Sequence, residues 1–279
     1  MKDLQKHLHK NLLNIVFNDA DHSYNRLDNE GEPTGFAFTS VTTKLKEYQE
    51  PFDSVWYGKK ADEWNKGYSL PNDKKTSHVE FSSKRFGEPM WTEDTVKKYW
   101  GLIAEMGQAS GTIVHNYLEN RFQGKVFPPA FPSFETEEDK RIFHTKYDQQ
   151  MSNAKKFYKD YRHLTPVQLE LMVFNNKYAG QVDGLFELDG KLILLDYKTD
   201  KEIQMSNKWQ SFKAPLSHLE ACNYNKYRLQ TSVYKYMFEE QYDFKIDEIW
   251  IIHLSNRLPT YKKYVIKPLM EEAKLLVND

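Results

Sequence analysis

The segment "GQVDGLFELDGKLILLDYKT", residues 180–199, constrains the fold more than any other part of the chain. Two apolar runs flank Asp189-Gly190. Asp-Gly between such runs is a hairpin signal, because both turn positions need a positive φ. With those two residues as the turn, Leu188 faces Lys191 and the numbers of paired residues sum to 379. Asp183 is then expected directly opposite Asp196. Directly opposed residues have Cβ atoms roughly 4.5–5.5 Å apart, and like charges there destabilise. Lys198 lies two residues beyond Asp196 and shares its face. The other face pairs Val182, Phe186 and Leu188 with Tyr197, Ile193 and Lys191. Leu185, Leu192 and Leu194 fall on the carboxylate side, which predicts a hairpin central in its sheet.

Two opposed carboxylates in such a place want a cation between them. Oxygen ligands suit a hard divalent ion such as magnesium or manganese. The alternative is that one aspartate lies at a solvated strand end and Lys198 simply neutralises Asp196. Buried charges are otherwise paired or metal-bound.

A chain of 279 residues can bury a sizeable core, as one large domain or one domain with a helical elaboration. Its net charge of −1 excludes a global basic field, so any nucleic-acid groove is local. The 18 Tyr and 17 Phe, many beside Lys, would suit a channel that stacks bases, though ordinary cores use most such residues. The single cysteine, Cys222, excludes a disulfide framework and a four-cysteine cluster. "MKDLQKHLHKNLLNIVF" lacks the apolar stretch of a signal peptide, and no run of about 18 apolar residues occurs. A soluble cytoplasmic protein is expected.

Residues 15–38 predict a hairpin around "DNEGEPTG", and Ser40 is an N-cap candidate before "VTTKLKEY". A helix restarts after Pro51, and residues 66–90 read as a long polar loop. The stretch from Thr92 to about 122 is helical in pattern, weakened by Gly101, Gly107 and Gly111. "FPPAFP" breaks the chain, and 135–163 predicts a second charged helix. "VQLELMVFNN" alternates as a strand, with Glu170 pointing away from Val167, Leu169, Leu171 and Val173. After the hairpin comes a polar connection at 200–215, then a helix with Ser217 as its cap, then strands "IDEIWIIHL" and "KKYVIKPL". His115 and Glu119, and likewise Gln230 and Tyr234, stand four apart, which is one helix face. Taken singly these residues are ordinary: a satisfied histidine, a solvated carboxylate, a packed pair.

Taken in order, "GTIVHNYLE", Glu170, "GQVD", "DYK" and "QTSVY" resemble the RecB-like branch of the PD-(D/E)XK nuclease superfamily. "SVTTKL" followed by "PFD" further resembles phage-encoded members and the mitochondrial genome maintenance exonuclease group. The likeness covers roughly 36–60 and 107–236. It implies an α/β fold: a restriction-endonuclease-like core, with a mixed central sheet flanked by helices, over 92–279. An N-terminal hairpin and helical region over 1–91 would cover the active site. It implies catalysis by Lys198, Asp196, Asp183 and Glu170. Asp183 and Asp196 would bind magnesium or manganese with His115 as a further ligand, and Glu170 would assist through a water. Lys198 would orient or activate the attacking water. Gln230, Tyr234, Glu119 and Thr42 would support the site and the DNA near it. No iron–sulfur cluster is expected, since its four cysteines are missing.

The function so implied is a metal-dependent DNA exonuclease favouring single strands or free ends, with DNA as partner and replication or recombination proteins around it. A structure- or site-specific endonuclease keeps the same chemistry. A non-catalytic nucleic-acid-binding protein is the reading from another class, and it has no need of Asp183, Asp196 and Lys198 together. The aromatic and basic residues Trp56, Tyr57, Lys59, Tyr99 and Trp100 are expected to help enclose a threaded strand.

Overall fold

A computed structural model describes residues 2–18, 21–66 and 93–278. The expected loop at 66–90 lies outside them, except for Lys66. The chain is α/β, with a mixed sheet whose strands run β1-β2-β3-β5-β6-β7-β8, and with β4 paired to β5.

Helix α1 (Lys2–Leu12) precedes a meander of β1 (Ile15–Asn18), β2 (Ser23–Leu27) and β3 (Pro33–Ser40). The expected single hairpin is thus its second half, with β1 added at the edge. Ser40 caps α2 (Val41–Glu47) as expected, its Oγ accepting from the Thr43 amide at 3.0 Å. Asp53 Oδ1 accepts from the Trp56 amide at 2.8 Å at the start of α3 (Ser54–Lys66). Helix α4 (Glu93–Phe122) runs unbroken through its glycines. Helix α5 (Glu137–Tyr161) starts on a capping box between Thr136 and Asp139.

Strands β4 (Thr165–Phe174), β5 (Tyr178–Leu188) and β6 (Lys191–Lys198) form the middle of the sheet. The hairpin turn is as derived: Asp189 and Gly190 have φ of 51° and 79°, and pairing runs from Leu188↔Lys191 to Gly184↔Leu195. Helix α6 (Asn223–Tyr242) begins at Cys222 rather than after Ser217. The chain before it is held by an isolated bridge, Ser211↔Glu220, which keeps 217–222 out of helix. Strand β7 (Glu248–His253) lies parallel to β6, and β8 (Lys262–Val265) pairs antiparallel to β7. Helix α7 (Met270–Asn278) follows.

The central strands are buried on both faces, as their near-continuous apolar runs require. Phe186, Ile193, Leu195, Trp250 and Ile252 pack with Ile113, Leu118, Phe143 and Phe157 of α4 and α5. Leu185, Leu192, Leu194, Ile249 and Ile251 pack with Leu229, Val233 and Phe238 of α6 and with Leu276 of α7. Leu4, Leu8, Val41 and Leu45 belong to that second cluster, and β3 joins β5 in parallel at Thr39↔Tyr178 and Ser40↔Ala179. The first 48 residues therefore extend the same sheet and core. No helix among the described residues is long and apolar enough to cross a membrane.

Candidate active site

Strand β4 departs from alternation where the site begins. Its pairing with β5 shifts between Pro166 and Gln168, and Glu170 has φ of 47°. A positive φ is uncommon for a non-glycine residue and strains the backbone. The expected apolar set is consequently split: Val167, Leu171 and Val173 face α6, whereas Leu169 packs on the α4–α5 side. Strand β5 slips in step. Val182 and Leu185 both belong to the α6-side cluster, which three residues of regular strand cannot achieve. Registers Leu169↔Gly184 and Leu171↔Val182 put Glu170 opposite Asp183.

This slip corrects the expectation that Asp183 and Asp196 meet face to face on one side of the hairpin. Asp183 turns to α4, where its Oδ1 lies 2.7 Å from His115 Nδ1, and its Oδ2 accepts a short hydrogen bond from the Tyr197 amide. Asp196 stays on the α6 side with Lys198, whose Nζ lies 2.6 Å from Asp196 Oδ2. Each aspartate thus has its own nitrogen partner in the protein. The Asp196–Lys198 contact is a close, largely buried ion pair. Lys198 also donates to Gln230 Oε1 at 3.4 Å and lies 4.7 Å from the centre of the Tyr227 ring. Gln230 Nε2 donates to the Tyr234 hydroxyl at 2.9 Å.

Two glycines allow these approaches. A Cβ at Gly180 would collide with Tyr234 Cε1, so the glycine of "GQVD" is required by the tyrosine of "QTSVY". A Cβ at Gly111 would lie 3.0 Å from Thr199 Oγ1, so glycine eases the close passage of α4 by the end of β6.

The four charged groups perturb one another. Burial raises the Asp183 pKa, but His115, Lys198 and the Tyr197 amide outweigh it and hold the carboxyl below its ordinary value. For Asp196 burial wins, with Asp183 adding to it against Lys198, and the carboxyl is pushed up. Burial lowers His115, but Asp183 outweighs it and the imidazole is raised. Burial likewise lowers Lys198 and Asp196 outweighs it, so the lysine is raised and stays cationic at neutral pH. Burial and then the Glu170 carboxylate push Tyr24 up to about 12.

A cavity of about 570 Å³ lies at this cluster, walled by β1, β2, β3, α2, α4, β4, β5 and α6. His115, Glu119, Glu170, Asp183, Gln230 and Tyr234 line it, and so does Thr42. Glu119 also accepts from Gln123 Nε2 at 2.8 Å. Thr42 Oγ1 lies 3.0 Å from Ser40 Oγ. Asp196 is buried and Lys198 half-buried, and neither lines the cavity. Seven of the nine residues singled out in the sequence therefore share one cavity wall, and the other two pair with each other beside it, Lys198 reaching the wall at Gln230.

Sequence reasoning missed Asp200 and Tyr227. The Tyr227 hydroxyl donates to Asp200 Oδ2 at 2.6 Å beside Lys198, and His253 Nε2 lies 2.7 Å from Asp200 O. Their positions were the available signal: Asp200 is two residues after Lys198, and Tyr227 is one helical turn before Gln230. Trp56, Tyr57 and Trp100 join through Phe52 in one aromatic cluster, with Phe52 and Tyr57 stacked at 4.9 Å and Trp56 and Tyr57 exposed.

As placed, no three His, Cys, Asp or Glu side chains among the described residues stand together tightly enough to hold a metal ion. The donor chemistry nevertheless suits a hard divalent cation. Two carboxylates and an imidazole lie close enough to perturb one another electrostatically. Binding would require His115 to exchange its bond with Asp183 for one to the ion.

No family model matches the chain, and no curated protein does. Among solved structures it is similar to the crystal structure of SSO0001, at 16% identity over 44% of this chain and 50% of that one, with a TM-score of 0.25. The chain thus spans about half the length of that structure. A likeness of this size carries no argument about fold family or function.

Proposed function

We propose that the cavity is the active site of a metal-dependent nuclease with a PD-(D/E)XK core, which hydrolyses phosphodiester bonds of DNA from a free end. The observation that carries this reading is convergence: His115, Glu170, Asp183, Gln230 and Tyr234 come from α4, β4, β5 and α6 and line one cavity beside the Asp196–Lys198 pair. A module that only binds nucleic acid gains nothing from drawing two aspartates and a lysine out of full contact with water at an acidic cavity, since such burial of charge is costly.

Asp183 and Asp196, with His115, would hold a magnesium or manganese ion. When bound, such an ion supplies Lewis-acid activation of the phosphoryl group and the attacking water. Lys198 stays positively charged and would offset charge that develops on the phosphoryl oxygens. Electrostatic stabilisation of this kind is usually the largest catalytic term. Gln230 holds the Lys198 ammonium, and Tyr234 holds Gln230, so the lysine is oriented before substrate arrives. Glu170, held over the cavity by its strained backbone, would take the proton of the attacking water as the P–O bond to the leaving oxygen breaks.

The test is incubation of end-labelled linear single-stranded DNA with magnesium, with manganese, and with EDTA. Metal-dependent release of label, abolished in Asp183→Ala, is the expected outcome. Full stability of the DNA with every metal tried would defeat the reading.

A further inference from the structure

A second cavity, of about 550 Å³, adjoins the first between α4, α5 and the segment after β6. Gly107 and Thr199 line both. Their charges are opposite. The first is acidic, through Glu119, Glu170 and Asp183. The second is lined by Arg141, Lys146, Lys201 and Arg257 against one carboxylate, Asp200, which already accepts the Tyr227 hydroxyl. Arg141 is held by Glu138. Among the described residues, the other three form no ion pair.

Lys146 stands at the junction. Its Nζ donates to Ile103 O at 2.9 Å and passes close to Gly107, 3.3 Å from where a Cβ would stand. Burial and then Lys201 hold its pKa below the ordinary lysine value, which marks positive charge crowded without a counterion. Gln150 belongs to the same wall, its Nε2 donating to Thr199 O at 2.8 Å.

We propose that this second cavity is a phosphate-binding subsite for a nucleic-acid strand, in which Lys146, Lys201 and Arg257 neutralise the phosphates next to the one held in the acidic cavity. The identity of the ligand rests on the nuclease reading. A polyanion approaching three carboxylates is repelled unless its neighbouring charges are neutralised close by, and the shared wall at Gly107 and Thr199 provides that proximity. Tyr99 lines the same cavity.

The experiment is fluorescence anisotropy with a labelled twelve-residue oligothymidylate in EDTA, over a salt series. Wild type is compared with the double variant Lys201→Gln, Arg257→Gln. Both side chains are exposed, so the fold should tolerate the changes. The double variant should bind at least about tenfold more weakly, and its salt slope should be shallower by roughly 0.7 for each lost phosphate contact. Cleavage of linear DNA is measured in parallel on both proteins. Unchanged affinity and slope in the double variant, or no binding by wild type, overturns the subsite even if wild type cleaves. Binding that depends on the two residues, in a protein that never cleaves, supports the subsite and defeats the nuclease reading alone.

Discussion

At the scale of single residues, the site is a chain of compensated charges, and each link makes its own prediction. Asp183→Ala and Asp196→Ala should each lose manganese affinity in a calorimetric titration, because each removes a carboxylate that the proposed ion needs. Wild-type affinity in both would remove the metal from the proposal. Lys198→Ala should cut the cleavage rate by about 100-fold with little change in DNA binding, the size expected for one lost transition-state contact. A wild-type rate would make the lysine a counterion of Asp196 and nothing more. The His115–Asp183 pair also predicts a pH dependence in metal-free protein. The raised His115 contributes stability that is complete below its unfolded value of about 6.5 and is lost as pH rises through the higher folded value. The lowered Asp183 contributes stability above its unfolded value near 3.8, which is lost as pH falls. The ion pair is therefore intact between, and melting temperature in EDTA should fall from pH 6 to 8.5 more in wild type than in His115→Asn. Parallel curves for the two proteins would mean that the contact does not couple to folding.

At the scale of elements, the glycines separate local propensity from tertiary demand. Gly101 sits in the exposed part of α4 with nothing within 4 Å of a built Cβ. Gly101→Ala should stabilise by about 1 kcal/mol, since alanine is the better helix former. Gly180→Ala meets the Tyr234 ring and should destabilise while displacing the Gln230 support of Lys198. Paired chemical denaturation of these two variants checks the contrast: equal shifts would refute the packing account of Gly180. The α2 cap belongs to the same scale. Losing the Ser40 hydroxyl removes the acceptor of the Thr43 amide, at a cost of about 1 kcal/mol.

For the whole molecule, the distribution of charge matters more than its sum. A net charge of −1 gives little long-range attraction for duplex DNA, whose non-specific binding draws on phosphate neutralisation. Affinity must then come from enclosing a strand. The exposed rings of Trp56 and Tyr57 next to α4 are suited to that, as stacking contributes about 1–3 kcal/mol per base. Enclosure requires threading, and threading requires an end. Linear single-stranded DNA should be degraded with magnesium or manganese while the covalently closed circle persists. Equal digestion of the circle would assign endonuclease chemistry to the same site.

Much of the hairpin was legible in the sequence because its cause is local. Asp189-Gly190 needs two positive φ values, and the apolar runs beside it settle the register up to Gly184↔Leu195. The Ser40 cap and the unbroken α4 follow from side-chain and periodic signals within one element. The side to which Asp183 turns was not legible. It depends on a slip in β5 matched to Glu170 at positive φ in β4, and no spacing within either strand encodes that slip. Asp200 and Tyr227 stand 27 residues apart and meet only because α6 packs across the end of β6. The cavity, likewise, is made by eight elements, from β1 to α6, brought together by burial on both faces of the sheet. Sequence determined which chemistry-bearing residues the chain holds and on which elements they ride. Tertiary packing alone decided which of them share a wall, because long-range contacts are chosen by the burial of the whole core and not by any one segment.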